Sequence, residues 1–352
     1  MTSITYIDVS KLRTFFSAVT CTMSRRMSAK AGRSIAVAAL AVGTLAGAGA
    51  AQAQNAYPNR PLKLVVGFPP GGSSDATARL LATALNEKLG QPVVVENRPG
   101  ANSIIAAQYV RSQPADGYTL FSVSSSFAIN PALQKLNYSI KDFTPVALLG
   151  TIPLWVVTPN TVPAKTIDEL LAMAKDKPGE LPYASYGAGS AGHLASELLL
   201  AMTKTSMIHV PYKGTGPAIV DVMSWQVTMM MPTVASSLAL VKDGKLRALA
   251  VTSSKRVSAV PDVPTIAESG VPGFELVAWE TIQVAAGTPP EIVARLNAVI
   301  REIVASPEFR EKLVKIGIEP ETKMTSAEVS GFIQSEAGKF DKIVRERNIK
   351  AE

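Results

Sequence analysis

Phe68-Pro69-Pro70-Gly71-Gly72-Ser73-Ser74-Asp75 joins two stretches of different periodicity. Before it, Leu62, Leu64, Val65 and Val66 form a short apolar run, the pattern of a buried parallel strand. After it, Leu80, Leu81, Ala84, Leu85 and Leu89 recur at helical spacing over residues 76–89, with Gly90 at the stop. The stretch is therefore a strand-to-helix turn, and Ser73 or Ser74 is the expected N-cap. First-turn N–H groups of such a helix lack intrahelical partners and carry partial positive charge, so they favour an anion. The glycines allow close approach to the backbone, and the serines add hydroxyl donors. A tight βα turn that binds nothing fits the same residues equally well.

Outward from this turn the same grammar continues. Residues 93–96 read as a strand, 103–111 as a helix and 118–123 as a strand that ends on Ser124-Ser125-Ser126. This alternation predicts an open parallel sheet with ligands beyond the carboxyl ends of its strands. After an extended run at 152–158 the grammar restarts. Thr166-Ile-Asp-Glu169 is a capping box, and short strands at 183–186 and 207–210 each feed a Gly-rich turn and a helix. Strands are expected at 227–231, 246–252 and 276–285, and a loop with one short helix at 261–272. Thr288-Pro-Pro-Glu291 and Ser306-Pro307 read as capped helix starts, and Ser326 as the start of a polar surface helix. Two α/β units with candidate crossing strands at 152–158 and 276–285 predict two lobes around a cleft. Lobe 1 is expected over 54–153 plus 278–352, and lobe 2 over 154–277.

The first 53 residues read as a removable export signal. Arg25, Arg26, Lys30 and Arg33 precede an Ala/Gly/Val/Leu run at 35–50 and the small-residue site Ala51-Gln52-Ala53. The run is too weakly apolar for a membrane anchor, and no apolar pair follows Arg25-Arg26, which favours the Sec route over the twin-arginine one. Met23 or Met27 reads better than Met1 as the signal's start. The formal charge of the chain is +7, of which the signal carries +5, so the remainder is +2 and nothing calls for a nucleic-acid partner. The single cysteine, Cys21, leaves with the signal, and a thiol-free chain suits an oxidising periplasm.

Gly187-Ala188-Gly189-Ser190-Ala191-Gly192 admits three readings. It matches a dinucleotide-binding G-x-G-x-x-G, but no acidic residue stands near Tyr212-Lys213, where that motif needs one. It lies one residue from a nucleophile elbow, but only His193 and His209 exist, His209 comes just nineteen residues after Ser190, and no histidine follows it to serve as a late general base. The third reading is a second anion cradle of backbone N–H groups, the Ser190 hydroxyl and the His193 ring. His193 equally fits a helix residue bonded to its neighbours, and Tyr212 and Trp279 fit core positions. The histidines have no partners at metal-ligand spacing, so no metal and no cofactor are expected.

Seven blocks together resemble one family. Residues 60–75, Leu89-Gly-Gln-Pro-Val-Val-Val-Glu-Asn-Arg-Pro-Gly100, Asp116-Gly-Tyr-Thr-Leu120, His209-Val-Pro-Tyr-Lys-Gly214, Lys245-Leu-Arg-Ala-Leu-Ala-Val-Thr252, Pro261-Asp-Val-Pro-Thr265 and Ala286-Gly-Thr-Pro289 are similar to the extracytoplasmic receptors of tripartite tricarboxylate transporters, the Bug family. The resemblance implies a type II periplasmic-binding-protein fold, two α/β lobes joined by a hinge with the ligand in the cleft. It implies a monomeric, non-enzymatic periplasmic receptor that captures a small carboxylate and delivers it to integral-membrane permease subunits. A secreted carboxylate-processing hydrolase and a receptor feeding a membrane sensor are the alternatives. The family's ligand loops map onto Phe68, Pro70, Gly71, Gly72, Ser73, Ser74 and Asp75; onto Ser124, Ser125 and Ser126; onto Tyr186, Gly187, Ala188, Gly189, Ser190 and His193; onto Lys213, Gly214, Thr215 and Gly216; and onto Thr233. Asn102-Ser103, Trp225, Pro232-Thr233 and Thr281 depart from the family pattern. Pro232 stands where an acidic residue is frequent, so the expected ligand has carboxylate and no amine: a dicarboxylate, a tricarboxylate or an aromatic acid.

Overall fold

A computed structural model describes residues 57–350, and the export signal expected over 1–53 lies outside the described residues. The apolar run before the Gly-rich turn is strand β1 (Leu62–Val66), its interior side chains fully buried. Helix α1 (Ser73–Leu89) begins a turn earlier than the leucine spacing indicates and ends on Gly90 in the left-handed conformation, φ 66°. Strands β2 (Val93–Asn97) and β3 (Thr119–Ser124) flank β1 in parallel register, with helix α2 (Ile104–Arg111) between them in sequence. A helix that sequence patterning missed, α3 (Ser126–Leu133), follows the serine cluster directly.

The first sheet is mixed rather than wholly parallel. Its order is β11-β4-β10-β3-β1-β2, where β4 is Phe143–Ile152, β10 is Ala278–Ala285 and β11 is Glu319–Pro320. Strand β10 runs antiparallel to both β3 and β4, because the chain enters it from the far sheet and fills the gap between two strands already laid down. Both faces of β10 are buried, which explains its unbroken apolar character apart from Glu280, Thr281 and Gln283.

The second sheet has the order β7-β6-β8-β5-β9, from β5 (Trp155–Pro159), β6 (Pro182–Ser185), β7 (Ile208–Pro211), β8 (Met229–Met230) and β9 (Leu246–Val251). Helices α4 (Ile167–Asp176), α5 (Ala191–Thr203), α6 (Thr215–Met223) and α7 (Val234–Lys242) alternate with these strands. Trp155 and Val157 pack in one core with Val222 and Met230, while Val156 packs on the other face with Leu194 and Tyr183, the period of two expected of a strand buried on both faces. The run at 152–158 is thus two strands in different sheets, broken at Pro153-Leu154. The return crossing precedes β10, and both crossings meet at buried Thr252: its N–H donates to Leu154 O at 2.9 Å, and its carbonyl accepts from Leu276 N–H at 3.1 Å.

Helices α8 (Pro290–Ala305) and α9 (Pro307–Lys315) lead to β11, and α10 (Ser326–Glu346) closes the fold. Three expectations fail locally. Thr288 does not cap α8; its hydroxyl donates to Ala285 O at 2.8 Å and Pro289 takes the cap position. The cap of α10 is Thr325 with Glu328, and the helix buries Val329, Ile333, Phe340, Ile343 and Val344, so it is amphipathic rather than a surface helix. The segment 261–272 forms turns, with no helix assigned to it.

Candidate ligand-binding cleft

Between the edges of the two sheets lies a cleft of about 740 Å³. Five helices begin at its wall: α1 at Ser73 and Ser74, α3 at Ser125 and Ser126, α5 at Ser190 and Ala191, α6 at Thr215, and α7 at Thr233 and Ser236. Among the described residues lining it there is no lysine, arginine or histidine. The positive character of this cleft comes from aligned peptide dipoles and unpaired first-turn N–H groups. A second cavity, about 840 Å³, lies between β4 and α10 and contains none of the predicted site residues.

The cap of α1 is Gly72, not Ser73 or Ser74, and no side chain satisfies the first-turn donors of this helix. The start of α6, behind Gly214 (φ 111°), is open in the same way, and so is that of α3 behind Ser125. Two other starts are already capped. Ser190 Oγ accepts from His193 N–H at 3.3 Å, and Thr233 Oγ1 accepts from Ser236 N–H at 3.3 Å. The open starts are the stronger anion sites, and α1 and α6 face the cleft from opposite sheets.

Of the residues singled out in the sequence, Phe68, Pro70, Gly72, Ser73, Ser74, Ser124, Ser125, Ser126, Tyr186, Gly187, Ala188, Ser190, Thr215 and Thr233 line the cleft. Gly71, Asp75, Gly189, His193, Lys213, Gly214 and Gly216 do not, and the reasons are structural. The Asp75 carboxylate is buried and holds the loop, accepting from Gly71 N–H, Asn97 Nδ2 and Arg79 Nε at 2.9 Å each. Arg79 and these donors hold its pKa down at about 2, against the usual carboxylate range. Gly189 sits at φ 69°, where an added Cβ would overlap the Leu133 side chain. Lys213 is exposed, and Gly214 serves as the cap of α6.

His193 is buried behind the loop, its ring stacked on that of His209 at 3.7 Å, and its Nδ1 accepts from Gly189 N–H at 3.1 Å. Burial, then the neighbouring His209, lowers its pKa to about 3, so it is neutral and buttresses the turn instead of meeting an anion. Ser190 and His193 bond only through the backbone N–H, so no Ser–His nucleophile pair exists here. Tyr212 is tied to Asp221 at 2.6 Å, away from the cleft. Trp279 is fully buried against Phe332, as a core residue, while its carbonyl accepts from Ser125 N–H at 3.1 Å at the cleft wall.

Pro232 does not line the cleft; its carbonyl accepts from Trp155 N–H at 3.1 Å. Among the described residues, the one acidic side chain in the lining is Glu280 on β10, which sequence reasoning passes over although a lone acid in an apolar strand is a visible signal. Asn102 also lines the cleft, from a turn in which Ala101, Asn102 and Ser103 all have positive φ (46°, 52° and 76°) without a glycine. Such backbone costs roughly 1–2 kcal/mol per residue. The Asn102–Asn130 side-chain pair at 2.9 Å holds it in place.

The family model for the tripartite tricarboxylate transporter family receptor matches residues 77–349. The protein BugT of Bordetella pertussis is 38% identical over 322 residues, covering 90% of this chain and 98% of that one. Among solved structures, R. palustris Rpa4515 with adipate is similar at 35% identity and TM-score 0.75, over 84% of this chain and 100% of that one. MatC from Rhodopseudomonas palustris with bound malate is similar at 31% identity and TM-score 0.69, over 82% and 100%. Matched nearly end to end, this chain belongs to the tripartite tricarboxylate transporter receptor family, whose members bind solutes and are not enzymes.

Proposed function

We propose that the chain is an exported periplasmic receptor that closes its cleft on a small carboxylate without an amine and hands it to integral-membrane permease subunits. The observation that carries this reading is the convergence of five helix starts on one cleft whose lining has no basic side chain. An acid is held there by backbone donors and hydroxyls, and a cationic ligand meets five partial positive charges. The open starts of α1 and α6 border the cleft from elements of different sheets, which suits a carboxylate at each end of the ligand. Adipate in Rpa4515 and malate in MatC are ligands of that class. Exclusion of an amine rests on these helix starts and not on Pro232.

The lobe division we adopt, 54–153 plus 278–352 and 154–277, is supported by the separation of the two sheets among the described residues. Closure pivots about the Thr252 crossing bonds and the contact of Arg347 Nε with Glu197 Oε2 at 2.5 Å behind them. Charge-assisted hydrogen bonds are worth roughly 1.5–3 kcal/mol each. Four or five of them, after desolvation and closure, leave about −8 kcal/mol, a micromolar Kd.

Thermal denaturation with succinate, citrate, adipate, malate, phthalate, aspartate and glutamate tests the ligand class. At a concentration about 1,000-fold above Kd, the right acid stabilises the chain by about 4 kcal/mol, a shift of many degrees. Stabilisation by aspartate or glutamate alone, with none by succinate or malate, contradicts the assignment.

A further inference from the structure

Glu280 is 1% exposed, yet it borders the cleft and has no cationic partner. Its Oε1 accepts from Ser122 Oγ at 2.7 Å, and its Oε2 accepts from Ser74 Oγ at 3.2 Å, at the open start of α1. The charged groups on the elements around it are engaged elsewhere. On α1, Asp75 and Arg79 pair with each other; on β3, the residues beside it are Ser122 and Ser124. On β4 its register partner is Gly150, and on β11 the Glu319 carboxylate accepts from Ser258. Tyr186 is the other ionisable residue of the lining, and burial pushes its phenol up to about 12.

An incoming carboxylate therefore meets a buried acid with no counter-ion between them. Two carboxylates sharing a site do not both ionise; one of them takes a proton. We propose that Glu280 is a ligand-contacting, specificity-determining residue, which must carry a proton for a dicarboxylate to bind and donates it in a hydrogen bond to a ligand carboxylate oxygen. The inference rests on the carboxylate-receptor reading above and adds to it that binding takes up a proton from solvent. The group is suited to this. Burial raises the Glu280 carboxyl to about 7, with the Ser122 and Ser74 hydroxyls pulling the other way, so near neutrality it exists in both forms. A side chain with this acidity reports the pH of its compartment through affinity: the receptor loads in a mildly acidic medium and releases as pH rises.

The test is calorimetric titration of the full chain with adipate and with malate at about pH 6 and about pH 8, each in two buffers of different ionisation enthalpy. With a free-state value of about 7, Kd weakens about tenfold across this range, and uptake rises from almost none to almost one proton per ligand. In Glu280→Gln, whose amide still donates but does not titrate, both Kd and proton uptake are flat with pH, and the ligand's own titration is common to the two proteins. The proton count on the unaltered chain decides the matter even where the variant does not fold. Binding with equal Kd at both pH values and no proton uptake overturns the inference and leaves the receptor reading standing. So does tighter binding at about pH 8. A preference there for aspartate, which would make Glu280 an ionised partner for an ammonium group, overturns the inference together with the amine-free ligand class. No heat with any carboxylate at either pH overturns both.

Discussion

Gly72→Trp is expected to weaken adipate binding by about 100-fold or more while leaving the unfolding temperature within about a degree of the parent. Gly72 lies at φ −81°, ψ 172°, a conformation open to any residue, and an added Cβ meets only Pro69 O at 3.8 Å. The fold therefore tolerates the side chain. The residue borders the cleft immediately before the uncapped first turn of α1, so an indole there covers the donors that an anion needs. Losing two charge-assisted hydrogen bonds of roughly 1.5–3 kcal/mol each amounts to two or more powers of ten in Kd. Gly189 looks equivalent in the sequence but is a poorer probe. Its φ of 69° and its contact with Leu133 mean that a side chain there also disturbs the loop. Calorimetry alongside thermal denaturation checks the prediction, and unchanged affinity in Gly72→Trp would remove α1 from the site.

Asp75→Ala is expected to lower stability by about 2–4 kcal/mol, because Gly71 N–H and Asn97 Nδ2 lose their buried acceptor, while the Arg79 side chain is 54% exposed and its ion pair adds little. Its carboxylate satisfies Gly71 N–H, Asn97 Nδ2 and Arg79 Nε, and Asn97 Nδ2 also reaches Phe68 O at 3.0 Å. These bonds tie both ends of the Gly-rich turn to β2, so ligand affinity falls with stability. The carboxylate also sits in the first turn of α1, where its charge opposes the helix dipole favourably. Its pKa is depressed in the folded chain, so its stabilisation is present above the ordinary carboxylate value of 3.8 and is lost as pH falls through about 2. Asp75→Asn keeps the shape and loses the charge, and loses about half as much. Urea unfolding at neutral pH measures both; a loss under about 1 kcal/mol in the alanine variant contradicts the role given to Asp75.

The local grammar of this chain is legible because its turns are written in residues with narrow conformational preferences. Gly90 stops α1, Ser306 caps α9, and the 68–75 turn leads from β1 into α1 as its periodicity requires. What escaped was non-local. That β10 lies antiparallel between β3 and β4 depends on a return crossing of the chain, which no window of residues encodes. Helix α3 was hidden because Ser124, Ser125 and Ser126 look like a strand-end cluster, and Pro131 sits inside the helix.

At the cleft, the lining loops are legible in the sequence and the individual roles are not. Asp75 and His193 stand beside ligand loops in sequence but turn inward to brace them. Glu280, Ile316 and Ile318 reach the cleft from positions some 200 or more residues away from Gly72, and only the folded chain brings them together.

In the function proposed above, dipoles and hydroxyls from both lobes recognise a carboxylate at each end of one small molecule. Calorimetric titration with three six-carbon compounds of similar reach tests it most directly: adipate, hexane-1,6-diol and hexane-1,6-diamine. One adipate per chain with a Kd near micromolar, and no measurable heat from the diol or the diamine, is the expected result. Binding of the diamine, or silence with adipate at millimolar concentration while the chain is folded, would contradict it.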